Sequence, residues 1–173
     1  MNSATISFEA FISVLSILSG TLIAVLTIFY SNRNTKKQIT TSKLEELYQL
    51  LQRFSQKYYK IQELSYLADG YLERKDSLSK FYEDRDRVIS ASERKSIEND
   101  LGRLELLIVC YTKEPIKKEL LNLKRLINSF FAYSTTGWSI DREVYYKNGF
   151  PHLLEFYKRT EILKGKLEKA IQS

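Results

Sequence analysis

Residues 10–30 form an uninterrupted run of 21 uncharged residues, and this run constrains the fold of the chain more than any other feature. A helix rises about 1.5 Å per residue, so this run spans roughly 32 Å, close to the thickness of the hydrocarbon core of a bilayer. We therefore predict one N-terminal transmembrane helix over residues 10–30.

One side of this predicted helix carries small and hydroxylated residues, and the opposite side carries Leu and Phe. At about 100° per residue the small side falls within an arc of roughly 80°. We call it the small-residue stripe, and it consists of Ser13, Ser16, Gly20, Ala24 and Thr27. Small residues four apart let membrane helices approach closely, so we predict that the stripe joins copies of the chain into a homo-oligomer. Two alternatives stay open: a chance arrangement of common residues, and a narrow pore, for which the span has no ionisable residue to select an ion.

The distribution of charge predicts the orientation. All 27 Lys and Arg follow residue 30, together with 20 of the 21 acidic residues, so the later part carries a net charge of +7 (27 − 20). Excess positive charge marks the cytoplasmic side of a membrane protein. Residues 1–9 contain no basic residue, unlike a secretory signal peptide, and we predict that they form a short external N-terminus. The composition favours a bacterial inner membrane.

The rest of the chain predicts an all-α domain on the cytoplasmic side. Residues 31–41 form a polar, basic neck, and residues 42–173 suffice for one helical domain of about four helices. Ser42-Lys43-Leu44-Glu45 has the pattern of a capping box, so we expect a new helix to begin there. Its apolar residues follow at spacings of three and four, typical of a bundle helix packed in its own domain or of a short coiled coil: Leu44, Leu47, Leu51, Phe54, Tyr58 and Ile61.

Three further helices are expected. Residues 73–90 mix both signs of charge and predict a connector with a helical turn, including a solvated charged run at residues 83–87. A second capping box, Ser90-Ala91-Ser92-Glu93, predicts a helix that ends near residue 112. The next helix is predicted over residues 114–133, and the last opens near Pro151. On the exposed side of the last helix we expect Lys158, Arg159, Lys164, Lys166 and Lys169.

The side chains needed for most catalytic sites are scarce, because the chain has one His and one Cys. Cys110 lies within an apolar run from Leu106, so we predict a buried thiol in a reducing compartment. Structural zinc needs several Cys or His ligands, more than this chain has. The chain also has no glycine-rich loop of the kind that binds phosphate. We predict no catalytic residues, no metal and no cofactor, and therefore a protein that is not an enzyme.

Residues 133–149 contain the strongest candidates for ligand binding, because the only Trp lies there beside Tyr residues and cations. Aromatic rings beside cations stack on a base and neutralise a phosphate, which predicts a nucleotide-type ligand. The candidates are Trp138, Arg142, Tyr145, Tyr146 and Lys147. In the alternative interpretation, Trp138 and one Tyr close the end of the helical bundle.

Three functions compete. The first is an oligomeric membrane effector whose cytoplasmic domain binds a small phosphorylated ligand or a protein partner. In architecture alone this resembles the small membrane effectors of prokaryotic antiviral defence, although no motif carries the resemblance. The second is a passive membrane tether that recruits a protein partner, and the third is an enzyme. We do not expect long nucleic acid as a partner, because acids interrupt the basic last helix, and anionic lipid or solvation accounts for its charges.

Overall fold

The computed structural model describes residues 8–74, 77–137 and 150–172, and these ranges contain five helices and no strand. The all-α prediction is confirmed. The helices are α1 (Phe8–Arg74), α2 (Leu78–Val88), α3 (Ala91–Tyr111), α4 (Ile116–Thr136) and α5 (Leu153–Gln172). The chain divides into two compact units, Met1–Thr41 and Ser42–Ser173, which are described separately below.

The described part of the first unit consists of α1 alone. Every residue from 11 to 40 is exposed, and no residue of the apolar segment, of mean hydropathy 2.3, is buried. Its hydroxyl groups bond to the backbone of the preceding turn, as when Thr21 and Thr27 each donate to the carbonyl four residues earlier at 2.8 Å. By length and composition, this is the one helix in the described ranges that could cross a membrane.

The predicted helix start at Ser42 is wrong, because α1 continues through this position. Residues 31–41 contain neither Gly nor Pro, so nothing in the neck interrupts helical hydrogen bonding. A capping box satisfies backbone N–H groups only where they lack a preceding turn. Inside a continuous helix the same four residues mark neither the beginning nor the end of a helix.

The second unit is built around one apolar core that draws on α1, α3, α4 and α5. The predicted apolar positions of α1 are confirmed, since all of them are buried within their own unit: Leu44, Leu47, Leu51, Phe54, Tyr58 and Ile61. This supports the bundle interpretation over an intermolecular coiled coil. The helices predicted near residues 90–112, 114–133 and 151 onward are present as α3, α4 and α5.

Three sets of ion pairs join α1 and α3, which lie antiparallel. At one end Arg103 donates to both carboxylate oxygens of Glu46, at 2.5 and 2.8 Å. In the middle, Asp100 pairs with two cations of α1, and at the other end Lys60 donates to Glu93 at 2.7 Å. Hydrogen bonds from Arg103 and then Lys43 lower the pKa of Glu46 to about 2. We call these contacts the α1–α3 ion-pair ladder.

The capping box predicted at Ser90 is confirmed. The Ser90 hydroxyl accepts from the Glu93 backbone N–H at 3.2 Å, and the Glu93 carboxylate accepts from the Ser90 N–H at 3.0 Å. The bond from Lys60, followed by those from Ser90, lowers the pKa of Glu93 to about 2. The start of α3 is thus tied to α1 by the same carboxylate that caps it.

The predicted connector at residues 73–90 is corrected, because it contains the three-turn helix α2. The Ser77 hydroxyl caps this helix, and Phe81 is its buried residue, packed with Ala68 and Tyr133. The charged run is only partly solvated. Arg87 is 70% exposed, whereas the Arg85 side chain is 15% exposed and bonds within the unit. Phe81, Arg85 and the ion pair between Asp86 and Arg94 of α3 all connect this short helix to the rest of the unit.

Two further expectations about burial are wrong. Cys110 is exposed, because consecutive residues on a helix point about 100° apart and only Leu107 and Ile108 of this run face the core. Lys164 is buried rather than exposed, since it lies four residues after buried Thr160 and eight after buried Phe156, on the same face of α5.

Candidate functional site

The first candidate region is the exposed stripe on α1 in the first unit. The described structure places the predicted small residues on one open side of this helix, and a Cβ atom added at Gly20 would meet no atom within 4 Å. Nothing in the chain's described residues therefore requires glycine at this position. If a larger side chain at Gly20 has an effect, its cause must lie in something outside the single chain.

The stripe extends further than the sequence analysis predicted. Ser31, Asn34 and Gln38 continue it at the spacings of four and three residues that already relate its last members. Together with neighbouring apolar residues they line one shallow concave strip along the helix, formed by Ile23, Leu26, Thr27, Tyr30, Ser31, Asn34, Thr35 and Gln38. This strip contains no charged residue. The signal that could have revealed the extension is the unbroken spacing itself.

The second candidate region is a group of stacked rings in the second unit, where α4 ends and α5 begins. We call it the aromatic cluster, and it consists of Tyr58, Phe130, Tyr133, Phe150 and Phe156. The rings of Tyr58 and Phe156 stack with centroids 3.7 Å apart and planes 7° from parallel. The Tyr58 hydroxyl donates to the carbonyl of Pro151 at 2.6 Å. Burial raises the pKa of Tyr58, so this hydroxyl remains a neutral donor.

Phe150 joins the same cluster from the residues before α5. Its ring stacks on Phe130 with centroids 4.2 Å apart and lies 5.7 Å from Tyr133. The Tyr133 hydroxyl in turn makes a short hydrogen bond to the carboxylate of Asp69. The cluster therefore connects α4 with α1 and with the chain that leads into α5.

A cation and a glycine complete the C-terminal end of α4. Gly137 adopts a left-handed conformation, with φ of 77°, and its N–H donates to the Tyr133 carbonyl at 2.7 Å. Arg85 of α2 donates to the Thr135 carbonyl at 3.1 Å, with its guanidinium 4.5 Å from the centre of the Tyr82 ring. Helix C-termini carry partial negative charge and leave carbonyls without helical partners, and Arg85 offsets both.

The five predicted ligand-binding residues, Trp138, Arg142, Tyr145, Tyr146 and Lys147, lie outside the described residues. The structure does describe the residues that flank this segment. Gly137 precedes it and bonds to Tyr133, and Phe150 follows it and packs on Tyr133. Both flanks therefore meet at one residue of the aromatic cluster.

A buried polar contact between α1 and α5 was not predicted. The Lys164 ammonium group donates to Gln52 of α1 and, at 2.7 Å, to Glu161, and it lies 5.0 Å from the centre of the Tyr48 ring. Burial alone would lower the pKa of Lys164, but the Glu161 carboxylate raises it, and the net shift is upward. Lys164 therefore stays charged inside the unit.

Two more cations of α5 also have acidic partners: Arg159 pairs with Glu155, and Lys166 pairs with Glu119. Within the described ranges, no group of three or more His, Cys, Asp or Glu side chains is arranged to hold a metal ion. Comparison of the chain with protein-family models, with curated proteins and with solved structures gave no match.

Proposed function

We propose that this chain is a single-pass membrane protein that self-associates through α1 and acts as a membrane effector, while its second unit receives a signal on the cytoplasmic side. The observation that carries the proposal is the wholly exposed apolar segment of α1, with its uncharged stripe on one side.

The exposure of apolar residues supports the membrane part of the proposal. The exposed fraction of the large apolar residues between positions 11 and 30 ranges from 46% for Leu26 to 69% for Ile17. Soluble proteins rarely leave continuous apolar surface of this extent in water, because its hydration is unfavourable. A helix satisfies its own backbone hydrogen bonds, so it can place such a surface in lipid.

Self-association is supported by the stripe and by its extension. Within lipid, helices associate through close packing rather than through apolar burial, which favours Gly20 and its small neighbours as the contact. Beyond the apolar segment, Asn34 and Gln38 continue the stripe without charge. An amide side chain buried at the core of a coiled coil fixes the register of the helices, and the proposed contact would place Asn34 and Gln38 in such a role.

The aromatic cluster supports the signal-receiving part. Phe150, which follows the segment that carries the ligand candidates, packs in this cluster, and Gly137, which precedes the segment, bonds to the backbone carbonyl of Tyr133. The chain after residue 30 also has a surplus of basic residues. We propose a small phosphorylated, nucleotide-type ligand or a protein partner as the signal. A role in prokaryotic antiviral defence is proposed on architecture alone, with a bacterial inner membrane as the location.

A non-enzymatic role is supported by the acids that line the described grooves. The groove between α4 and α5 contains Glu119, which pairs with Lys166, and the groove beside α1 and α3 contains Glu93, which pairs with Lys60. Each groove thus has one carboxylate, and a lysine neutralises it. A pair of free carboxylates, as glycoside hydrolysis by two carboxylates needs, is not formed in these grooves.

The test is native mass spectrometry of the full-length protein released from nanodiscs, comparing the wild type with Gly20→Ile. We expect a defined oligomer for the wild type, carrying a nucleotide-sized extra mass if the signal is retained, and monomers for Gly20→Ile. Leu22→Phe is the matched control, because it adds bulk on the opposite side of α1, and we expect its oligomer to persist.

The outcomes separate the competing functions. A wild-type monomer would overturn self-association and favour the passive tether. An oligomer that Gly20→Ile leaves intact would place the contact elsewhere, since the single chain has room for a side chain at this position.

A further inference from the structure

The side of α1 opposite the uncharged stripe carries a second, basic surface. We call it the basic face, and it consists of Arg33, Lys36 and Lys37, all exposed and all within the first unit. No Asp or Glu occurs in the sequence between Glu9 and Glu45.

The three cations lie on one side of the helix. We measure the angle of each residue around the helix axis from Gly20, at about 100° per residue. On this scale the basic face lies at roughly 160–260°. The bulky lipid-side residues fall in the same sector: Leu15, Leu18, Leu22, Leu26 and Phe29. Ser31, Asn34 and Gln38 instead fall within roughly 40° of Gly20. The side of α1 that is apolar in the span therefore becomes basic beyond it, and the other side stays uncharged.

The positions along the helix axis also matter. Arg33 lies about 6 Å and Lys36 about 10 Å beyond Phe29, at 1.5 Å per residue. The interfacial layer of a bilayer is roughly 5–8 Å thick on each side of the hydrocarbon core, and long basic side chains reach along a helix to it. Phe29, Asn32, Arg33 and Lys36 line one shallow concave strip, with the aromatic ring at the apolar end and the cations beyond it.

We propose that the basic face binds the phosphate groups of anionic phospholipids in the cytoplasmic leaflet, an inference that rests on the proposed membrane span. Guanidinium and ammonium groups bind phosphate through charge-assisted hydrogen bonds. A zwitterionic lipid also has a phosphate, but its own ammonium group offsets the attraction. Each cation close to an anionic surface strengthens binding by about fivefold, so three together distinguish the two lipid classes.

Position in the chain favours α1 over α5 as the lipid-binding surface. In α5, three of the cations that we expected to be exposed have an acidic partner, and Lys164 is buried. The basic face directly follows the apolar residues of the proposed membrane span.

The test uses the full-length protein in nanodiscs of equal parts phosphatidylglycerol and phosphatidylcholine, with the retained lipids identified by native mass spectrometry. The triple variant Arg33→Gln, Lys36→Gln, Lys37→Gln is compared with the wild type. The matched control is Lys95→Gln, Lys113→Gln, Lys118→Gln, which removes the same charge from exposed positions of the second unit. Both leaflets of a nanodisc have one composition, so the orientation of insertion does not affect the readout.

We expect phosphatidylglycerol to be enriched on the wild type and on the control, and we expect the triple variant to lose about fivefold or more of this enrichment. Equal lipid ratios for the wild type and the triple variant would overturn the inference. Alkaline carbonate extraction of membranes containing the wild type separates the two proposals. If the protein is extracted, the proposed span fails, whereas retention without lipid preference refutes the basic face alone.

Discussion

Replacing Tyr58 with Phe tests the aromatic cluster, because it removes one hydroxyl and leaves the stacked ring in place. The lost bond, from Tyr58 to the Pro151 carbonyl, is 2.6 Å long and buried. Leaving a buried acceptor without its donor costs about 1–3 kcal/mol. For a domain of roughly 130 residues, each kcal/mol lowers the melting temperature by about 3–4 °C, so we expect Tyr58→Phe to lower it by about 3–12 °C.

The assay is thermal unfolding of the full-length protein in detergent, followed by near-ultraviolet circular dichroism, which reports aromatic packing. Tyr59→Phe is the control, because this neighbouring residue is 50% exposed and the same atom is removed. We expect the control to stay within about 0.5 kcal/mol of the wild type. Equal melting temperatures for the two variants would refute the idea that the Tyr58 hydroxyl holds the chain leading into α5.

Acid and charge-deletion experiments test the polar contacts. The pKa values of Glu46 and Glu93 are lowered from 4.5 to about 2 in the folded protein, so their contribution to stability is complete above pH 4.5 and is lost as the pH falls toward 2. Melting temperatures should therefore fall over this range, and by less in Glu46→Gln; an identical fall in that variant would contradict the assignment. Lys164→Ala should cost about 1–2 kcal/mol through lost packing of its buried stem, whereas Lys164→Met, which keeps the volume, should stay within about 1 kcal/mol. Exposed Lys169→Ala is the control in urea denaturation, and a smaller effect for Lys164→Ala than for this control would disprove the burial argument.

The periodicity of apolar residues predicted the helices because that pattern reports burial directly. The α1 core positions were predictable for this reason. The start of α3 was predictable from the capping box at Ser90, a signal that acts over a few residues. The start at Ser42 was not predictable from its capping pattern, which has an effect only if the chain before it is not helical. Whether a new helix begins at Ser42 depends on the neck before it, and the neck has no residue that breaks a helix.

The burial of individual residues was harder to predict where the sequence pattern is compatible with more than one buried face of a helix. Cys110 ends a run of five apolar residues, and no helix can turn five successive side chains toward one core. Lys164 carries a charge, and its burial depends on Gln52, more than a hundred residues away in sequence. The helix α2 has a single buried side chain, Phe81, so it lacks the repeat that would reveal a helix in sequence.

The α1–α3 ion-pair ladder also has a directional meaning, because the order of charges along each helix is not symmetric. Glu46 stands at one end of the ladder on α1 and Lys60 at the other, facing Arg103 and Glu93 respectively. If α3 lay parallel to α1, like charges would meet at both ends, carboxylate against carboxylate and ammonium against guanidinium. Such contacts are unfavourable, so the order of charges disfavours a parallel pairing of α1 with α3, whether the two helices belong to one chain or to two copies.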